Sequence, residues 1–134
     1  MIAGYATDFT ALTNGRTLIQ AGAFTNLLHR RFTVRMLVEH EGEQVGEWVK
    51  MMQDDRGLFV VGRLDGSARA RETMAGIESG RYRGLSLGRH IGLRALRDDG
   101  INVCADVQYI GEISLVHEPG NPGALIEAFC MVGQ

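Results

Sequence analysis

The sequence predicts an α+β, mainly β domain: a mostly antiparallel, closed or nearly closed barrel of about seven strands with flanking helices. Three observations point there. Short apolar stretches are separated by turn signals along the whole chain, only two segments carry helical spacing, and no β-α-β alternation appears. The 18 glycines beside only 2 prolines imply tight turns and bent or bulged strands, not a flexible linker. With 134 residues, 45% of them hydrophobic, the chain is expected to form one domain over 1–134 with its own core, needing neither metal nor disulfide to fold.

The elements follow in order. Ile2 to Phe9 reads as a first strand and Arg16 to Ile19 as a short second one, after the turn Thr13-Asn14-Gly15. Phe24, Leu27 and Leu28 fall at i, i+3 and i+4, the spacing of a short helix that ends near Arg30 and Arg31. Thr33 to His40 alternates in part, placing Val34, Met36, Val38 and His40 on one side of a strand. Val45 to Met52 and Leu58 to Leu64 flank Asp54-Asp55-Arg56-Gly57, so they are expected to pair as a hairpin. Ser67 can cap a helix whose inner side is Ala70, Met74 and Ile77 and which Gly80 terminates. Gly84 to Leu96 and Ile101 to Val116 are the two longest strand candidates, joined at Asp98-Asp99-Gly100. A turn from Pro119 to Gly123 precedes a last strand from Ala124 to Val132.

Composition narrows the function classes. Fourteen Lys+Arg against 16 Asp+Glu give a net charge of -2, with no basic run longer than Arg30-Arg31, so a nucleic-acid footprint is not supported. No window approaches the roughly 18 to 20 apolar residues that span a bilayer, and no secretory signal opens the chain; a cytoplasmic protein is expected. Cys104 and Cys130 are then expected to be reduced and buried. No glycine loop is followed by Lys-Ser or Lys-Thr, and His40-Glu41-Gly42-Glu43 has no second histidine or cysteine at ligand spacing, so neither phosphate-loop nor metal chemistry is indicated, and no cofactor is expected.

Gly84-Leu85-Ser86-Leu87-Gly88 has the G-x-S-x-G form in which a serine is presented for nucleophilic attack. A small serine in a glycine-rich strand is the plain alternative. The α/β-hydrolase fold is excluded, because Ser86 is followed by more strand instead of a helix and the chain is too short for a doubly wound sheet. A serine hydroxyl needs a base within hydrogen-bond reach and a third group to orient that base. His90 lies four residues on, roughly 13 Å away along a strand, too far unless the chain doubles back. His29 sits at a helix end and His117 in a turn. His40 ends an apolar row and opens onto Glu41-Gly42-Glu43, so it is the candidate base, or else a hydrogen-bonded histidine at a core margin. Glu112 lies on the strand face opposite Ile113 and Leu115; if buried it needs a partner, and the alternative is a solvent-facing carboxylate.

Taken in order, Ala21-Gly22-Ala23-Phe24 as a glycine-alanine strand, Glu39-His40, Gly57-Leu58, Gly84-Leu85-Ser86-Leu87-Gly88, Glu112-Ile113-Ser114-Leu115-Val116 and Pro119-Gly120-Asn121-Pro122-Gly123-Ala124 resemble the HK97-type prohead, or capsid maturation, proteases of tailed bacteriophages. The resemblance runs from about Ile2 to Ala128. It implies a serine endopeptidase with the herpesvirus assemblin fold, His40 as general base, Ser86 as nucleophile and Glu112 as third member. The turn from Gly120 to Ala124 is a candidate oxyanion hole, with Gly120 and Gly123 as donors. It further implies cleavage of scaffold and major capsid protein segments, and of the protease itself, inside a prohead assembling in the host cytoplasm. Self-association as a homodimer follows by analogy with the herpesvirus enzymes. Relatives commonly carry a C-terminal targeting or scaffold segment, and none is expected here; they often have aspartate where Glu41 stands. The rival reading is an inactive barrel kept for assembly contacts, against which the joint retention of His40, Ser86 and Glu112 argues.

Overall fold

The computed structural model describes residues 1–130. Among them are ten strands and two helices: β1 (Ile2–Asp8), β2 (Thr17–Ile19), α1 (Thr25–Leu28), β3 (Arg35–Val38), β4 (Glu41–Gln53), β5 (Gly57–Leu64), α2 (Ala68–Glu78), β6 (Gly84–Gly88), β7 (Ile91–Leu96), β8 (Asn102–Tyr109), β9 (Glu112–Val116) and β10 (Ile126–Phe129). Seven strands form one sheet in the order β10-β1-β5-β4-β3-β9-β6, and β2-β8-β7 form a small second sheet.

Local chemistry explains the elements that follow the expected pattern. The Asp54 carboxylate accepts the N–H groups of Arg56 and Gly57 at 2.8 and 3.0 Å, which closes the β4–β5 hairpin. Ser67 caps α2 by accepting the Ala70 N–H at 3.1 Å. Ala70, Met74 and Ile77 are buried on the inner side of α2, and Gly80 follows the helix in a left-handed conformation. Phe24, Met36, Leu58, Leu85, Ile113 and Leu115 fill the core, each such side chain worth roughly 1.5–3 kcal/mol of burial. The Trp48 indole N–H donates to the Ile113 carbonyl at 3.0 Å, tying β4 to β9 across intervening β3.

Several expectations are corrected. The large sheet is a curled half-barrel: among the described residues its edges meet at the isolated bridge between Gly84 and Leu125, where Leu85 N–H donates to Ala124 O at 2.9 Å and Ile126 N–H to Arg83 O at 3.0 Å. Most of its pairings are antiparallel, but β3 and β9 run parallel, as do β2 and β8 in the small sheet. Ala21 to Phe24 is a turn with Gly22 at φ 88°, not a strand, and the first helix is a single turn. The strand expected through His40 stops at Val38.

The two long strands each break in the middle. Arg89, at φ 52°, separates β6 from β7, and Ile110-Gly111 separates β8 from β9, so the inner halves join the large sheet and the outer halves the small one. Of the two free cysteines, Cys104 is buried, which pushes its thiol pKa up, whereas Cys130 is exposed. The last strand ends at Phe129; its expected continuation through Val132 passes outside the described residues.

Candidate active site

His40 does not sit on a strand. Val38 pairs with Glu41, so Glu39 and His40 form a two-residue hairpin loop with φ of 52° and 62°. Asn-Gly normally fills such a loop; for Glu and His it costs roughly 1–3 kcal/mol per residue. The parallel neighbour β9 holds it in place. Glu39 N–H donates to Leu115 O at 2.9 Å, His40 N–H to Ser114 Oγ at 3.0 Å, and His117 N–H to Glu39 Oε1 at 3.0 Å.

Strand register supplies the other two groups. Antiparallel β6 and β9 place Ser86 opposite Ser114 and Gly88 opposite Glu112. Leu85 is fully buried in the core while Ser86 turns to the other face, where a cleft of about 340 Å³ opens. Glu112 is 3% exposed, which settles its two readings in favour of a buried, partnered carboxylate.

These residues meet in a line. Glu112 Oε1 lies 2.6 Å from His40 Nδ1, and His40 Nε2 lies 3.0 Å from Ser86 Oγ. An ionised carboxylate only accepts, so Nδ1 carries the proton and Nε2 is left to accept the Ser86 hydroxyl. The second carboxylate oxygen, Oε2, accepts from Ser114 Oγ at 2.6 Å, leaving neither oxygen bare. The His40 side chain is 42% exposed, so the line runs from a buried acid to a base and hydroxyl that solvent and a ligand can reach.

The two glycines of the motif make room. A Cβ on Gly88 would overlap the Glu112 carboxylate and crowd the His40 ring at 2.9 Å, so only glycine lets the acid and base meet beneath β6. Gly84 similarly admits the Pro119 ring, whose nearest carbon would lie 2.6 Å from an added Cβ. The spacing that flagged Ser86 thus reflects close packing on both sides of it.

The remaining candidates separate. Gly120 lines the cleft together with Asn14, Glu39, Glu118 and His90, and its N–H has no hydrogen-bond partner among the described residues. Gly123 does not line the cleft: its N–H donates to Asn121 Oδ1 at 3.0 Å, and the residue packs on Asp8. His90, set aside on strand distance, borders the same cleft because the left-handed turn at Arg89 redirects the chain. Its Nε2 faces Arg94 Nη2 at 2.9 Å, and burial, then the Arg94 charge, lowers its pKa. His29 caps α1 and His117 lies in an exposed turn, as expected. Sequence reasoning missed the part taken by Ser114 and the space made by Gly88. A serine two residues after the acid on one strand face was the only signal for the first.

Known proteins resemble this chain in sequence and in fold. The family model described as "Caudovirus prohead serine protease" matches residues 1–132. The chain is 30% identical to the prohead protease of Enterobacteria phage HK97, over 93% of its own length and 58% of that protein's. Among solved structures it is similar to varicella-zoster virus protease, with a TM-score of 0.60 and 15% identity over 93% of this chain and 61% of that one. It is also similar to KSHV protease in complex with a hexapeptide phosphonate inhibitor, with a TM-score of 0.57 and 14% identity over 86% and 58%. The two viral likenesses establish the fold, which is that of the herpesvirus proteases. With the family model spanning nearly its whole length and a phage relative at that identity, the chain belongs to the caudovirus prohead serine protease family.

Proposed function

We propose that this chain is the serine endopeptidase of phage capsid maturation, cleaving scaffold and major capsid protein segments, and itself, inside the prohead in the host cytoplasm. One observation carries the reading: the unbroken line of hydrogen bonds from buried Glu112 through His40 to Ser86 at the cleft. Family membership and the HK97 relative support the capsid substrates.

In this reading Ser86 Oγ attacks a peptide carbonyl while His40 Nε2 takes the hydroxyl proton. Glu112 holds the productive tautomer and stabilises the imidazolium that forms. The developing oxyanion is met by the Gly120 N–H; Gly123, whose amide is already engaged, is not needed for this. His40 then returns the proton to the leaving amine, and water, activated by the same imidazole, hydrolyses the acyl-enzyme. Neither nucleic acid nor membrane enters this chemistry, and a homodimer is the assembly proposed by analogy with the herpesvirus proteases.

The test is coexpression with the cognate capsid and scaffold proteins. Wild type is expected to cleave them, and Ser86→Ala and His40→Ala to leave them intact. Cleavage that survives either substitution would overturn the reading.

A further inference from the structure

Ser114 is completely buried on β9, yet both of its hydrogen bonds leave its own strand's backbone ladder. Its hydroxyl donates to Glu112 Oε2 at 2.6 Å, and its oxygen accepts the backbone N–H of His40 at 3.0 Å. An ordinary buried serine is satisfied by any nearby carbonyl. This one reaches the acid with one bond and the base with the other.

Register explains why this position can do so. In the parallel pairing, Ser114 lies beside Leu37 and Leu115 beside Val38, so the chain leaving β3 curls over Ser114 as it enters the left-handed turn at Glu39-His40. In the antiparallel pairing Ser114 lies directly opposite Ser86. It therefore sits between the strand of the nucleophile and the turn of the base, on the same face as Glu112. It does not line the cleft, so it has no route to a bound peptide.

Two physical effects follow. The donated bond supports the negative charge of a carboxylate that solvent does not reach, and fixes which oxygen is left for His40. The accepted bond holds His40 in a backbone conformation that histidine disfavours, and so aims the ring. Without Ser114 the acid would lose half of its support and the base one of its anchors.

We infer that Ser114 is a positioning residue for both members of the relay, setting the orientation of His40 and of the Glu112 carboxylate; this rests on the protease reading above. The substitution Ser114→Ala removes both bonds, and Ser114→Thr keeps the hydroxyl.

The experiment compares wild type, Ser114→Ala and Ser114→Thr by thermal melting, by the rate of Ser86 modification with a fluorophosphonate, and by the downfield proton resonance of the His40 Nδ1–H. Ser114→Ala is expected to melt cooperatively, react about 10- to 100-fold more slowly, and lose or shift the downfield resonance upfield; Ser114→Thr should restore both. A folded Ser114→Ala with wild-type reactivity and an unmoved resonance would overturn the inference. Should Ser114→Ala fail to fold, Ser114→Cys, with its weaker donor, is expected to react at an intermediate rate, and a wild-type rate would overturn the inference equally. Wild type that folds but is not modified at Ser86 would instead count against the protease reading, while the resonance still reports whether Ser114 orients the ring.

Discussion

β9 and β7 are close in sequence and opposite in character. Every residue of β9 is buried, with Ile113 and Leu115 facing the core and Glu112 and Ser114 hydrogen-bonded to each other and to His40. Nearly every residue of β7 is exposed, Leu96 by 70%. Both belong to one long bent hairpin, in which β6 and β9 pair inside the large sheet and β7 and β8 pair beyond the kink at Arg89-His90 and Ile110-Gly111. One hairpin thus does two things. In its inner half β9 is packed on both faces and β6 buries Leu85 beneath the cleft, so positions there are held to the tolerance that proton transfer needs. Its outer half makes few such demands.

Breaking the inner half at its chemistry should have the largest effect. Glu112→Gln keeps the volume but removes the charge that stabilises the imidazolium, so kcat is expected to fall by a factor on the order of 10⁴ while the melting temperature changes little. Unchanged turnover would remove Glu112 from the relay. Gly88→Ala is next: the added methyl displaces Glu112 and His40, and should cost about 1–3 kcal/mol of stability together with nearly all activity. An active, stable alanine variant would show that the close approach beneath β6 is not required.

Packing offers a graded version of the contrast. Ile113→Ala on β9 opens a cavity in the core and should destabilise by about 2–5 kcal/mol, whereas Leu96→Ala on β7 should stay within about 0.5 kcal/mol of wild type. Denaturant melts of the two variants decide it, and equal losses would erase the distinction between the halves.

His90, at the kink itself, gives the smallest and pH-dependent effect. Burial and Arg94 lower its pKa in the folded state below the ordinary value of 6.5, so the unfolded chain takes up the proton first as pH falls. The folded state therefore loses stability as pH drops below about 6.5, until the native imidazole also protonates. Melts at stepped pH should show this slope in wild type and a shallower one in His90→Gln; identical slopes would place the pH dependence elsewhere.

These contrasts also mark what could be read from the chain. The Asp54 and Asp99 turns, the cap at Ser67 and the inner side of α2 were legible because each depends on residues within a few positions. The three relay residues were legible as an ordered set, with Ser86 and Glu112 on the polar faces of apolar strands. The kinks were not. Arg89 takes a left-handed conformation that its residue type does not favour, and Val107, Tyr109, Ile113 and Leu115 keep one alternating phase across Ile110-Gly111. The turn at Glu39-His40 was misread as strand for the same reason: β9, more than 70 residues away, supplies the bonds that stabilise it. Parallel pairing of β3 with β9 is likewise tertiary, and local pattern carries no trace of it, whereas the capture of the Gly123 amide by Asn121, two residues earlier, is a local Asx turn of the same kind as those at Asp54 and Asp99.

The central claim, that Glu112 and His40 activate Ser86, is tested most directly by treating the folded protein with a fluorophosphonate and mapping the adduct by mass spectrometry. The account predicts a single adduct on Ser86 in wild type, none in Ser86→Ala, and strongly slowed labelling in His40→Ala and Glu112→Gln. Labelling of Ser86 at the wild-type rate in a folded His40→Ala variant would contradict it.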